Sequence, residues 1–167
     1  MARSSEILRT TGETDIRLKL DLDGQVDGAR STGLGFFDHM LDLLARHGGI
    51  DLSVAAEGDL RTGSHHTVED TGICIGKALD EALGDRSGIA RYGSAVIPMD
   101  EARAACAIDV SGRPYCAVDV ELPSGVTGGF EHELLDEFMR AVAMNARITL
   151  HLEMQRPGGA HGGAAAT

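Results

Sequence analysis

Apolar residues recur along the chain with two periods, one typical of strands and one typical of helices. Leucine and isoleucine alternate with polar residues over 15–23, which predicts a half-buried strand. Apolar residues at helical spacing over 36–47, followed by two glycines, predict a helix. The same reasoning predicts strands at 50–56, 93–98, 102–110, 115–122 and 148–153, and helices at 65–83 and 130–145. Because strands and helices mix without regular βαβ alternation, the pattern favours an α+β fold over a doubly wound sheet.

One part of this pattern occurs twice. Residues 38–54 align without a gap with residues 136–152, and in both segments a helix is followed at the same offset by a strand. A chance similarity of two apolar patterns is the competing explanation. A duplication instead predicts two similar half-domains, each a small β-sheet with helices packed on one face, at residues 1–92 and 93–167.

Composition restricts the classes of function. The formal net charge of −11 argues against general nucleic-acid binding, which needs clustered lysine and arginine, but it permits a small phosphorylated substrate. No apolar run is long enough for a membrane span, and the first residues lack the apolar centre of a secretory signal. We therefore expect a cytoplasmic protein without a membrane partner, whose three cysteines are buried reduced thiols.

The strongest chemical signal is a histidine pair at the predicted start of the second helix. Glu69 lies three and four residues after His66 and His65, so it shares a helical face with each. The two imidazoles diverge by about 100°, which suits two different ions better than one. Imidazole and carboxylate ligands favour Mn, Fe or Zn over soft metals. The competing interpretation is a polar helix start whose acidic residues complement the helix dipole.

Two further histidines lie on the first predicted helix. His39 interrupts an apolar stretch, and its partner in the repeat is Glu137, another possible ligand. His47 lies eight residues later on roughly the same face. The alternative for His39 is a histidine at a helix cap or in the core whose hydrogen bonds are satisfied by its neighbours. The alternative for His47 is an interaction with the dipole at the C-terminus of the helix.

Two arginines occur in glycine-bearing turns. Arg91 lies between Gly88 and Gly93, and Arg113 follows Gly112. An arginine in such a turn can bind a phosphate with two hydrogen bonds while the glycines let the backbone approach. An ordinary surface arginine is the alternative at both positions.

Four motifs together resemble the imidazoleglycerol-phosphate dehydratase family, and the similarity extends from about residue 9 to about residue 153. The motifs are FDHML at 37–41, HHTVEDTG at 65–72, PMDEA at 98–102 and DVSGRPY at 109–115. The resemblance implies a fold of two similar half-domains. It also implies a metal-dependent lyase that dehydrates imidazole glycerol phosphate to imidazole acetol phosphate in histidine biosynthesis.

The resemblance assigns a role to each candidate residue. It implies two Mn²⁺ ions per active site and a homo-oligomer, a 24-subunit shell in the family with a trimer or smaller possible here, whose neighbouring subunits share the metals. Glu13 and Glu69 are the implied catalytic residues. The implied metal ligands are His39, His65, His66, Glu69, Glu137 and His161. The implied substrate contacts are Glu13, His39, His47 and His65, with Arg91 and Arg113 on the phosphate.

The chain departs from the family pattern near its end. The second His-His-x-x-Glu motif would place its histidines at His161 and 162 and its glutamate at 165, but Gly162 and Ala165 stand there. We therefore expect a C-terminally incomplete second half-domain, weak metal affinity, poor assembly and little dehydratase activity. The alternatives are an inactive metal-binding homologue that keeps the fold, or a metal-dependent hydrolase that uses the histidine pair; the hydrolase explains neither the repeat nor the two arginine turns.

Overall fold

The computed structural model describes residues 3–156 and contains two four-stranded sheets. In the first sheet the strand order is β1-β2-β4-β3, with β1 antiparallel to β2, β2 antiparallel to β4, and β3 parallel to β4. The strands are β1 (Ser4–Thr10), β2 (Thr14–Asp21), β3 (Arg30–Ser31) and β4 (Asp51–Gly58).

The second sheet repeats the topology of the first. Its order is β5-β6-β10-β7, with β5 and β10 antiparallel to β6 and β7 parallel to β10. Its strands are β5 (Tyr92–Met99), β6 (Ala102–Asp109), β7 (Tyr115–Asp119) and β10 (Thr149–Arg156). This agreement in order and direction confirms the predicted α+β fold with two similar halves.

Helix α1 (Gly35–Gly48) follows β3 and leads into β4. It buries Phe37, Leu41 and Ala45, which are spaced four residues apart and so form one apolar stripe against the first sheet. Gly49 then ends the helix in the left-handed conformation, which glycine adopts without a steric penalty.

The other two helices, α2 (His65–Leu83) and α3 (Leu134–Ala146), pack closely against each other and connect the two halves. Gly72 and Gly76 of α2 form this contact. A Cβ at Gly76 would lie 2.6 Å from the carbonyl oxygen of Val142, so only glycine lets the helix backbones approach this closely. On its other side α2 covers β1 and β2.

The core lies mainly between the first sheet and the helices. The alternation predicted for the second strand is confirmed, because Ile16, Leu18 and Leu20 are at most 3% exposed. The second sheet is less covered, with Val96 and Ile97 of β5 more than half exposed. Cys74 and Cys116 are buried as expected, whereas Cys106 is only partly buried, and all three thiols are free.

Some predicted boundaries were wrong. The helix expected over 130–145 begins only at Leu134, because Phe130–Glu131 form strand β9, paired with β8 (Val126–Thr127). Strand β1 was not predicted. The predicted incompleteness of the second half-domain concerns residues 157–167, which lie outside the described residues. Within residues 3–156, no helix combines the length and apolar character needed to cross a membrane.

Candidate functional site

The N-terminal turn of α2 presents two histidine side chains to solvent. The rings of His65 and His66 lie 5.8 Å apart at 86° to each other, and about half of each side chain is exposed. Glu69 is close to only one of them: its Oε2 lies 3.4 Å from Nε2 of His65. The rings therefore face different directions, which is the geometry expected if each serves a different metal ion.

His66 contacts a second carboxylate that sequence reasoning missed. Its Nδ1 lies 3.1 and 3.3 Å from the two carboxylate oxygens of Asp59, just after β4. The Thr62 hydroxyl donates to the same carboxylate at 2.7 Å. The hydrogen bond that His66 donates to Asp59 is the main reason that the pKa of His66 is raised. The Thr62 and His66 hydrogen bonds lower the pKa of Asp59 in turn. The only sequence signal was an aspartate three residues after the strand predicted over 50–56.

Glu13 lies in the tight turn between β1 and β2. The Thr11 hydroxyl accepts hydrogen bonds from the backbone N–H groups of Glu13 and Thr14, at 3.1 and 3.0 Å. The Asp59 N–H donates to the Glu13 carbonyl at 3.0 Å, which joins this turn to the segment after β4. The Glu13 charge is one of the smaller causes, after Asp59, that raise the pKa of His66. The structure therefore brings Glu13 and His66 into one neighbourhood.

A buried ion pair fastens the same turn to α2. Asp70 is 8% exposed and accepts hydrogen bonds from Arg9 at 2.7 Å and from the Thr14 hydroxyl at 2.5 Å. Because Arg9 and Thr14 flank the Glu13 turn, this carboxylate sets the position of the turn relative to the histidine pair. Sequence reasoning missed this role because Asp70 resembled an ordinary acidic residue near the start of a helix.

His39 and Glu137 occupy equivalent positions in the first turns of α1 and α3. His39 is exposed and Glu137 is partly buried. Within residues 3–156, no group of three or more histidine, cysteine, aspartate or glutamate side chains is close enough to hold a metal ion. The described part of one chain therefore supplies candidate ligands singly or in pairs. The candidate ligand His161 lies outside the described residues.

The two candidate phosphate-binding arginines converge on one carboxylate. Arg91 donates two hydrogen bonds to Asp109, at 2.6 and 3.0 Å, and Arg113 donates a third at 3.3 Å. The Arg91 hydrogen bond is the main reason that the pKa of Asp109 is lowered. Two guanidinium groups beside one carboxylate leave a net positive charge, and the Arg113 side chain is 72% exposed. This cluster can therefore attract an anion.

The histidine pair and the arginine cluster lie near opposite ends of helix α2. Helix α2 has 19 residues and is therefore about 28 Å long. The pair lies at its start, whereas Arg91 follows the loop after its end. His47, in the last turn of α1, is separated from His39 by about 12 Å along the helix axis. Residues 3–156 of a single chain therefore do not place the histidine pair and the arginines around one small substrate.

Comparison with known proteins points to one family. The family model for imidazoleglycerol-phosphate dehydratase matches residues 32–167. An imidazoleglycerol-phosphate dehydratase of Moorella thermoacetica is 53% identical over 161 residues, which cover 96% of this chain and 82% of the relative. The Acetivibrio thermocellus protein of the same name is 54% identical over 153 residues, covering 92% of this chain and 78% of the relative.

Solved structures give the same result. The crystal structure of imidazoleglycerol-phosphate dehydratase from Staphylococcus aureus superposes with a TM-score of 0.88 at 39% identity, covering 98% of this chain and 90% of that one. The Pyrococcus furiosus enzyme, in complex with (S)-C348, has a TM-score of 0.82 at 37% identity, with 96% and 85% of the two chains covered.

Proposed function

The chain belongs to the imidazoleglycerol-phosphate dehydratase family, hydro-lyases of histidine biosynthesis, and we propose that it performs this dehydration with bound divalent metal, preferably Mn²⁺. The observation that carries the metal dependence is the start of α2. There two imidazoles face different directions, and each lies beside a carboxylate. Nitrogen and oxygen ligands without thiolate suit Mn²⁺.

The residues present fit such a metal in their chemistry. His66 is bound to Asp59 through Nδ1, so its Nε2 remains available as a ligand. His65 and Glu69 supply a second nitrogen and an oxygen on the same helical turn. His39 and Glu137, equivalent in the two halves, complete the proposed set of described ligands, to which His161 is added from the sequence.

The proposed active site requires more than one copy of the chain. Because the described residues of one chain bring no three ligands together, each metal needs ligands from a neighbouring subunit. A neighbour also brings an arginine cluster to the histidine end, which one chain cannot do across the length of α2. We therefore propose a homo-oligomer with two metal ions per shared site, up to the 24-subunit shell of the family.

In the proposed mechanism the chain's own residues bind the substrate and move its proton. Arg91 and Arg113 hold the phosphate of imidazole glycerol phosphate, and His47 contacts the substrate. The metal, when bound, acts as a Lewis acid that stabilises negative charge on the substrate imidazole, which assists loss of the adjacent hydroxyl. Glu13, held beside the histidine pair by Thr11 and Asp59, takes the carbon-bound proton, and Glu69 orients His65. The proton and the departing hydroxyl leave together as one water, and the resulting enol tautomerises to the ketone of imidazole acetol phosphate.

Two residues near the end of the chain should affect the rate of turnover. Gly162 and Ala165 stand where a second histidine and a glutamate would continue the ligand set. Neither residue has a side chain that can bind a metal ion. We propose that this lowers metal affinity, assembly and turnover relative to family members that carry the complete motif.

The experiment is turnover of imidazole glycerol phosphate by the purified 167-residue chain, measured after chelation and again after addition of Mn²⁺, with the oligomer mass recorded on the same sample. We expect turnover to require Mn²⁺, and a His66→Ala variant to be at least about 100-fold slower. Undiminished turnover by the chelated protein would contradict metal dependence. A rate equal to that of a family member that carries the complete motif would contradict the proposed effect of Gly162 and Ala165.

A further inference from the structure

We propose that Asp59 is a positioning residue that fixes the His66 ring, so that Nδ1 carries the proton and Nε2 is left to bind the metal. This inference rests on the proposed metal-dependent function and adds to it a residue outside the predicted ligand set. Asp59 itself touches neither substrate nor metal in this proposal and acts through His66.

The hydrogen-bond geometry determines which nitrogen is protonated. A carboxylate only accepts hydrogen bonds, so Nδ1 of His66 must donate to reach Asp59 at 3.1 and 3.3 Å. In a neutral imidazole the other nitrogen, Nε2, then carries the lone pair. A carboxylate on the far nitrogen of a metal-binding histidine fixes both the tautomer and the ring orientation.

Asp59 is itself held in place by its surroundings. The Thr62 hydroxyl donates to the Asp59 carboxylate at 2.7 Å and to its carbonyl oxygen at 3.0 Å. The Thr62 N–H donates to the same carbonyl at 2.9 Å, and the Asp59 N–H donates to the Glu13 carbonyl. Asp59 therefore couples the ring of a proposed metal ligand to the turn that carries the proposed proton-transfer group.

His65 provides a comparison within the same helical turn. In His65 the nitrogen beside a carboxylate is Nε2, which lies 3.4 Å from Glu69. In His66 it is Nδ1, and Nε2 remains available. The two adjacent histidines therefore present their carboxylate partners to different ring nitrogens. A change at Asp59 should alter the tautomer of His66 and leave that of His65 as it was.

The test combines ring NMR of the metal-free protein with Mn²⁺ binding. Full-length chains labelled with ¹⁵N-histidine are compared as wild type, Asp59→Ala, Asp59→Asn and Thr62→Val, with a His66→Gln variant to assign the His66 signals. Asp59→Asn keeps a hydrogen-bond acceptor, whereas Asp59→Ala removes it. Thr62→Val loosens the same loop while leaving the carboxylate. Asp59→Ser replaces Asp59→Ala if the alanine variant does not fold.

We expect wild-type His66 to be protonated at Nδ1. Asp59→Ala should shift this proton toward Nε2 and weaken Mn²⁺ binding about 10- to 100-fold, with partial rescue by Asp59→Asn and a smaller effect of the same sign for Thr62→Val. A wild-type His66 protonated at Nε2, or an Asp59→Ala variant with unchanged His66 signals and Mn²⁺ affinity, would overturn the inference. Because the tautomer is read without metal, this result is independent of whether the chain turns over substrate.

Discussion

Arg147 occupies in the second half of the chain the left-handed position that Gly49 occupies in the first. Their φ angles are 55° and 64°, and each ends a helix by donating its N–H to the carbonyl of an alanine four residues earlier. The next residues, Ile50 and Ile148, donate to the same two carbonyls, at 3.1 Å in both halves. The duplication therefore extends to individual hydrogen bonds, although one half has replaced the glycine that this conformation favours.

Replacement of Arg147 by glycine should increase the free energy of unfolding by about 1 kcal/mol, because glycine adopts the left-handed conformation without the steric cost of a Cβ. The variant also loses the exposed ion pair between Arg147 and Asp80, at 3.9 Å, and this loss should reduce the gain in stability only slightly. The matched variant Gly49→Ala should destabilise by a similar amount. Chemical denaturation measures both variants. A marked loss of stability in Arg147→Gly would show that the Arg147 side chain contributes more than its contacts suggest.

Gly76→Ala should destabilise the protein by about 1–3 kcal/mol, although alanine is the better helix former. The added Cβ would lie 2.6–2.9 Å from Val142, Asn145 and Ala146, so α2 and α3 would have to separate. Gly48→Ala is the control, since its Cβ meets only the Ile50 side chain, 3.7 Å away. Thermal unfolding of the two variants should shift in opposite directions. If Gly76→Ala were as stable as Gly48→Ala, the proposed helix contact would be wrong.

Asp70→Asn should cost about 2 kcal/mol of stability, because an amide cannot replace the charged acceptor between Arg9 and Thr14. Asp136→Asn, which breaks an exposed pair with Arg140, should change little. If Asp70 also positions the Glu13 turn, its variant should lower kcat more than it raises KM. Unfolding curves and steady-state kinetics on the same samples separate the two effects. An unchanged kcat would restrict Asp70 to a structural role.

The Cys74 thiol should react far more slowly with iodoacetamide than the Cys106 thiol. Burial raises the pKa of Cys74 to about 11, so little thiolate forms at pH 8.5, and its side chain is inaccessible. Between about pH 8.5 and pH 11 the unfolded thiol ionises and the folded one does not, so the contribution of Cys74 to stability falls across this range and stays lowered above it. Peptide mass spectrometry over time gives both rates. Equal rates would mean that α2 opens readily.

The sequence alone predicted the elements whose apolar pattern can be recognised within one continuous segment of the chain. The apolar stripe of α1 and the alternation in β2 are local, so both elements were predicted. Strand β1 was missed because Ser5 and Arg9 stand on its inward side beside Ile7, where they bond to Ala78 and Asp70 of α2. In the sequence alone this inward side looks polar, and only the contacts of Ser5 and Arg9 with α2 show that it faces the interior.

In the candidate site, too, the contacts that follow from local spacing were predicted and those that depend on the fold were not. The pairing of His65 with Glu69 follows from helical spacing and was predicted. The contact of His66 with Asp59 depends on where the chain leaves β4, and no helical or strand period indicates it. Likewise, Arg91 and Arg113 were identified separately from their turns, whereas their convergence on Asp109 depends on the register of the second sheet.

The most direct test of the account is complementation between two damaged chains. His66→Ala removes the metal end of the site and Arg113→Ala removes the arginine end, so each chain alone should be nearly inactive. Co-expressed in equal amounts, they should recover about a quarter of the Mn²⁺-dependent rate of the unaltered chain, because some shared sites then receive two intact ends from different subunits. A mixed oligomer as inactive as either variant alone would contradict an active site built between chains.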